Sequence, residues 1–146
     1  MAIGTLYGHF PNRRALIGAL LRDRNEALFD AGEALTEAPL EEALRRWVDL
    51  VVAHAASYRG LAELLADGVD DEASELHVSC ARMADIGERI VSRAIGAGVV
   101  RPDVTGADVV ALMNAGAWTR EHASGEEAAR LVSYTMDGLL VKRRSA

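Results

Sequence analysis

The chain has 146 residues, of which 50% are apolar and 26% are charged, and this composition is ordinary for a single soluble globular domain. Its net charge of −6 argues against a protein built wholly to coat nucleic acid. Cys80 is the only cysteine, which excludes an intrachain disulfide and makes a reducing cytosol the expected compartment. No apolar run approaches the roughly 20 residues needed to span a bilayer, and no secretory signal is present.

The charges are unevenly distributed along the chain. Residues 1–24 have a net charge of +3, whereas residues 60–88 have a net charge of −7. A basic end on an acidic body is the asymmetry expected when one end meets a polyanion. A solvated helix face also explains the four arginines of the basic end, so charge alone leaves both interpretations open.

Helical patterns follow one another along the chain, and no alternating strand pattern or internal repeat interrupts them. Asn12 is the expected N-cap of the first helix, Pro39 starts the second, and Thr105 caps the fifth. Gly96 and Gly98 are expected to end the long fourth helix. The predicted helical segments cover about 13–35, 40–58, 61–66, 76–94, 109–117 and 128–140. The sequence therefore predicts an all-α fold of about six helices with short connections.

The sequence offers little support for an enzyme. Its four histidines are scattered without metal-ligand spacing, and it has no glycine-rich phosphate loop and no nucleophile elbow. Cys80 lies on an apolar helix stripe and is interpreted as a buried hydrophobe. The acidic run Asp70-Asp71-Glu72 lacks the alternating ligands of a calcium loop and fits a helix start instead. We therefore expect no enzymatic activity, no metal and no cofactor, and no residue nominates a substrate for a small helical enzyme.

The opening stretch IGTLYGHFPNRRALI resembles the end of the DNA-binding domain of the tetracycline-repressor (TetR) family. In that family the recognition helix of a helix-turn-helix ends in a T-x-Y-x-H-F-like run, and a long helix then starts with a basic residue. A second stretch, RAIGAGVVRPDVTGADVVALMNAG, resembles the step that precedes the dimerisation helices in many members. The resemblance spans nearly the whole chain and implies a ligand-responsive transcriptional regulator, a repressor, that works as a homodimer on operator DNA.

The resemblance divides the chain into three parts. Residues 1–12 are a remnant of the helix-turn-helix, residues 13–35 are a linking helix, and residues 36–146 form a ligand-binding and dimerisation domain. Hydroxyl, imidazole and guanidinium groups in and next to the helix-turn-helix remnant would contact phosphates and base edges. The DNA-contacting residues implied in this way are Thr5, Tyr7, His9 and Arg13.

Family members carry two further helices before the point at which this chain starts. A misassigned start codon, a trimmed chain or a natural remnant would each explain the difference. A single-turn helix without support does not offset its nucleation cost, so we expect operator binding by this chain to be weak or absent. The alternative function is a stand-alone helical module that binds a small molecule or dimerises without binding an operator.

The resemblance also implies a pocket for a small hydrophobic effector among the core helices. Polar groups near apolar stripes, such as His54 and Asn114, are the better candidates for orienting a ligand. The alternative for His54 is a core histidine whose hydrogen bonds are made within the protein. The alternative for the apolar residues is that they only pack in the core. The predicted lining residues are Trp47, Val51, His54, Tyr58, Met83, Gly87, Met113, Asn114 and Trp118.

The last two helices carry small residues that allow close helix approach, with larger apolar residues beside them. Two such helices from each of two chains would form a four-helix bundle. The alternative is that these faces pack only within one protomer. The predicted interface residues are Gly116, Ala117, Ala128, Leu131, Val132, Thr135, Met136 and Leu139.

Overall fold

A computed structural model describes residues 13–56 and 75–142 of the chain. In these two ranges the chain is helical, as predicted, and the segment predicted over residues 61–66 lies outside them. A short 3-10 helix, Leu35–Glu37, connects the first two α-helices. The α-helices are α1 (Arg13–Ala34), α2 (Leu40–Ala56), α3 (Glu75–Gly96), α4 (Gly106–His122) and α5 (Gly125–Leu139). None of these helices is long and apolar enough to cross a membrane.

Local chemistry sets the ends of three helices, and at Thr105 and Gly98 it does so where the sequence predicted them. The Asp108 N–H donates to the Thr105 hydroxyl at 3.2 Å, and the Asp108 carboxylate accepts from the Thr105 N–H at 2.8 Å. This reciprocal capping box starts α4. The Ser124 hydroxyl accepts from the Glu127 N–H at 3.1 Å and caps α5 with this single bond. Gly98 ends the last turn of α3 with a φ of 72°, which costs little only for glycine.

The predicted last helix is one residue too long. Leu140 is extended rather than helical and forms an isolated antiparallel bridge with Val100. The Arg101 N–H donates to the Leu139 carbonyl at 3.0 Å, and the Val141 N–H donates to the Val99 carbonyl at 2.8 Å. These bonds hold the α3–α4 connection against the chain that follows α5.

The first three helices pack with α2 antiparallel to its neighbours. Asn25 of α1 bonds to Ser79 of α3, and further along both helices Glu33 pairs with Arg89 at 2.8 Å, so α1 and α3 run parallel. The α2 helix crosses them in the opposite direction and also packs against α4, which pairs with α5. Leu44, Trp47 and Val48 of α2 have no exposed surface. The α2 helix is therefore the centre of one continuous core.

Candidate functional site

Three buried polar atoms in the interior between α1, α2 and α3 have no hydrogen-bond partner among the residues that the structure describes. They are Asn25 Oδ1, Trp47 Nε1 and His54 Nε2. The side chains of Asn25 and Trp47 are only 3% and 0% exposed. An unpaired buried polar atom costs about 1–3 kcal/mol, so a small molecule or an ordered water that completes its bonding is stabilised there. We call these three residues, together with Ser79, the interior polar site.

Trp47 reaches this site through a slot between two glycines. A Cβ atom at Gly32 of α1 would lie 2.6 Å from Cζ3 of the indole, and one at Gly87 of α3 would lie 3.1 Å from its Nε1. The indole therefore fits between α1 and α3 only because neither position carries a side chain. Its N–H group faces the α3 backbone beside Gly87 and has no acceptor there.

Asn25 is held at the other end of the interior by a hydrogen bond. Its Nδ2 donates to the Ser79 hydroxyl at 2.7 Å, and both side chains are buried. This bond fixes the amide plane and leaves Oδ1 as the unpaired acceptor. Asn25 lies about two turns from Gly32 along α1, so the Asn25 and Trp47 levels are separated by about 10 Å.

His54 lies at the level of Asn25 because α2 is antiparallel to α1. Burial, and then the positive charge of Arg24, lower the pKa of the His54 imidazole below its ordinary value of 6.5. The imidazole is therefore neutral near pH 7 and presents one donor and one acceptor nitrogen. The interior polar site thus contains amide, hydroxyl, indole and neutral imidazole groups.

The other residues predicted to line a pocket divide between core and surface. Val51, Met83 and Met113 are 5–7% exposed and belong to the core, and Asn114 of α4 is half-buried. Tyr58 lies outside the described residues. Trp118 does not line the interior, because its side chain is 50% exposed and stacks on His122 with the ring centroids 4.4 Å apart.

Sequence reasoning missed Asn25 as a member of this site. The signal was an asparagine in the middle of a predicted helix, where this residue type is unfavourable unless its side chain has a tertiary role. Ser79, on the helix that includes Cys80 and Met83, was missed for the same reason.

The residues predicted for the dimer interface divide between the interior of the protomer and its outward face. Five of them are buried inside the protomer: Gly116, Ala117, Ala128, Val132 and Met136. A Cβ atom on Gly116 would lie 2.9 Å from Val132 and 3.0 Å from Val52, so this glycine serves the contact of α4 with α2 and α5. These five residues have almost no surface to offer to a second copy.

The outward face of the α4–α5 hairpin carries different side chains. Leu131 is 40% exposed, and Thr135 and Leu139 are half-buried. Trp118 and Tyr134, which were not predicted as interface residues, are 50% and 70% exposed. Trp118 lies about one turn before the end of α4, and Leu131 lies nearly two turns after the start of α5, so the two differ in level by about half a turn.

Of the residues predicted to contact DNA, Thr5, Tyr7 and His9 lie outside the described residues. Arg13 is the first residue of α1. In the described ranges, no group of three or more His, Cys, Asp or Glu side chains could hold a metal ion. Cys80 is buried and forms no disulfide.

A separate groove of about 800 Å³ lies between the first turns of α2, the α3–α4 connection and Val141. Its charged walls are paired: Arg45 lies 2.7 Å from Asp137, and Arg46 lies 3.6 Å from Glu42. No pattern in the sequence indicates this groove, because its walls come from three distant segments.

Comparisons with known proteins place the chain in a family. Residues 39–141 match the family described as "Transcriptional regulator SbtR-like, C-terminal domain". The chain is also similar to the crystal structure of the TetR transcriptional regulator SCO0520 from Streptomyces coelicolor, with 30% identity and a TM-score of 0.69. That similarity covers 98% of this chain and 83% of the other. No curated protein sequence matches the chain. Because the family match covers more than half of its length, the chain belongs to the TetR family of transcriptional regulators.

Proposed function

We propose that this TetR-family regulator is a repressor that senses a small hydrophobic effector in the interior between α1, α2 and α3. The observation that carries the proposal is the set of three buried polar atoms that lack partners at Asn25, Trp47 and His54. They lie in an otherwise apolar interior, which is the usual composition of a small-molecule site. An effector that forms hydrogen bonds with these atoms is bound more tightly than one that does not.

The position of α1 supports a route from the effector to DNA. Asn25 contributes to the interior polar site, and Gly32 forms one wall of the Trp47 slot. The same helix begins at Arg13, next to the residues proposed to contact DNA, Thr5, Tyr7 and His9. An effector that separates α1 from α2 or α3 would move the DNA-contacting end of the chain as a lever.

The repressor is proposed to act as a homodimer through the outward face of the α4–α5 hairpin. Large exposed apolar side chains close together on a surface mark a site of protein association, and aromatic residues are enriched in such sites. Trp118, Leu131 and Tyr134 are exposed on the hairpin, and Leu131 and Tyr134 are neighbours on one face of α5. Thr135 and Leu139 remain proposed at the edge of the interface.

Deleting the gene tests the regulatory role directly. In the deletion strain, a repressor predicts a rise in the transcripts of a small set of genes, measured by RNA sequencing. Returning the gene with its native upstream sequence restores the original levels, and chromatin immunoprecipitation recovers the promoters of those genes. Unchanged transcripts and no recovered promoter would contradict regulation and favour a stand-alone binding or dimerisation module.

A further inference from the structure

The chain that follows α5 is directed into the groove beside the first turns of α2. The Val141 N–H donates to the Val99 carbonyl at 2.8 Å, and the Arg101 N–H donates to the Leu139 carbonyl at 3.0 Å, so the two segments are antiparallel. Beyond Val141 the chain therefore runs past Gly98 toward the end of α3. Val141 and Gly98 both line the groove, so the residues that follow Val141 start at its edge.

The groove has room for this continuation of the chain. A Cβ atom at Gly98 would meet no atom within 4 Å, and Val141 is 45% exposed. The sequence continues after Val141 with KRRSA, of which residues 143–146 lie outside the described ranges. Five extended residues span about 16 Å, whereas the wall that α2 contributes from Pro39 to Arg46 is about 10 Å long. The segment is therefore long enough to cross the groove along α2.

The residues that follow Val141 are basic, and we call residues 142–146 the basic segment. It contains Lys142, Arg143 and Arg144 and no acidic residue. Its direction takes it past the carboxyl end of α3, where the partial negative charge of a helix end favours cations. The family match ends at Val141, so the basic segment lies beyond the matched domain. A groove that accepts this segment has to supply negative charge as well as room.

The ionic groups along the groove leave a small excess of negative charge. Glu41 and Glu42 lie in the first turn of α2. Arg45 is shared between Glu41 at 3.4 Å and Asp137 at 2.7 Å. Arg46 pairs with Glu42 at 3.6 Å, so three carboxylates share two guanidinium groups. The side chains of Glu41 and Glu42 remain 54% and 55% exposed, so each carboxylate keeps oxygen lone pairs for a further cation.

We propose that the basic segment occupies this groove, with Arg143 and Arg144 beside the carboxylates of Glu41 and Glu42. Bound in this way, the segment connects the end of the α4–α5 hairpin to the start of α2. Only the short 3-10 helix Leu35–Glu37 and its flanking residues separate that start from α1. The contact is a strap between the hairpin proposed for dimerisation and the helix proposed to reach DNA. This inference goes beyond the proposed function and does not depend on an effector.

Hydrogen–deuterium exchange of the full chain and of a chain that stops at Lys142 tests the occupant. The truncation removes no residue of the hydrophobic core. We expect amides of the groove walls, in peptides covering residues 38–46 and 96–100, to exchange about two- to fivefold faster after truncation, which is the effect of losing surface ionic contacts. Peptides that cover residues 124–130 should exchange at the same rate in both chains.

Two outcomes of this experiment would overturn the proposal. The first is equal exchange of the groove peptides in the full and truncated chains, which would show that the basic segment does not cover them. The second is protection of these peptides that survives truncation and increases with protein concentration, because a second copy of the chain would then occupy the groove.

Paired charge reversals test the ionic contact. Glu41→Lys with Glu42→Lys removes both carboxylates from the groove. Glu126→Lys with Glu127→Lys is the matched control, because it makes the same change in the first turn of α5 and carries the same penalty for cations at a helix start. We expect the first variant to exchange at residues 96–100 as fast as the truncated chain, with no further increase when it is truncated too. The control should keep the protection of the full chain, and equal protection in both variants would overturn the assignment.

Discussion

The interior between α1, α2 and α3 and the α4–α5 hairpin differ in the kind of group that lacks a partner within the described protomer. These groups are buried polar atoms in the interior and exposed apolar side chains on the hairpin. In the interior, polar atoms of Asn25, Trp47 and His54 lack partners. In the hairpin, the side chains of Thr105 and Ser124 accept hydrogen bonds from N–H groups in the first turns of α4 and α5. The large apolar side chains that remain exposed there face outward. Unpaired polar atoms in a buried site favour a small ligand, whereas exposed apolar side chains favour a protein surface.

The two tryptophans, one in each region, differ in burial in the same way. Trp47 is fully buried between Gly32 and Gly87, while Trp118 is half exposed beside His122. The same type of side chain is therefore buried in the proposed ligand site in one region and exposed on the surface in the other. Substitutions at matched positions can break or sharpen the comparison.

The largest effect is expected from Trp47→Ala. Loss of the buried indole removes its contacts with α1 and α3 and leaves a cavity, which lowers the free energy of unfolding by about 3–5 kcal/mol. Trp118→Ala, measured by urea denaturation at concentrations where the chain is monomeric, should change it by less than about 0.5 kcal/mol. Similar losses at the two positions would contradict the assigned roles.

Tyr134→Glu is expected to weaken the proposed homodimer. A charge at the centre of an apolar interface is desolvated without a partner, so the dimer dissociation constant should rise by about 30-fold, or roughly 2 kcal/mol. Val78→Glu provides the control, because Val78 is 60% exposed and lies on α3 rather than on α4 or α5. Analytical ultracentrifugation that shows equal weakening by both variants would argue against the α4–α5 interface.

Gly116→Ala and Gly138→Ala should have opposite effects on stability. The new methyl group at Gly116 meets Val132 and Val52 at 2.9 and 3.0 Å, so overpacking outweighs the gain in helix propensity and the protein loses about 1 kcal/mol. The methyl group at Gly138 meets no atom within 4 Å, and the same substitution should stabilise by about 0.5–1 kcal/mol. Thermal unfolding measures both changes, and equal gains would show that α4 is not closely packed at Gly116.

The smallest effect is expected from the titration of His54. Its folded-state pKa lies below 6.5, so the unfolded chain binds the proton more tightly and stability falls as the pH drops below about 6.5. The His54→Gln variant lacks this contribution, while the carboxylates that also respond to acid are the same in both proteins. The stability difference between wild type and variant should therefore change between about pH 8 and pH 5, and a constant difference would contradict a buried neutral imidazole.

The helix boundaries could be predicted because they depend on local chemistry. Gly98, Thr105 and Ser124 act through their own backbone or through a residue three positions away. Which side of α4 packs against the core could not be predicted. Val109, Leu112 and Met113 belong to the buried stripe, but the equally apolar Trp118, directly after the last buried residue, is exposed. A helix that is apolar on several faces has no periodicity that separates inward from outward positions.

The interior site was predicted only in part, because its geometry is tertiary. Trp47 and His54 were recognised from their spacing on one helix. The slot that holds Trp47 needs Gly32 and Gly87 from two other helices, and the unpaired acceptor of Asn25 depends on its bond to Ser79. No pattern within a single helix contains these relations.

Tryptophan fluorescence of two variants tests the central claim that the interior faces a ligand and the hairpin faces a partner. The chain has two tryptophans, so Trp118→Phe leaves only Trp47 and Trp47→Phe leaves only Trp118. We predict that the emission of Trp47 shifts when octanol, a small hydrophobic probe, is added and is unchanged on dilution of the protein. The emission of Trp118 should shift on dilution, as the dimer dissociates, and stay unchanged with octanol. The reverse pattern, with Trp118 responding to octanol and Trp47 to dilution, would contradict the account.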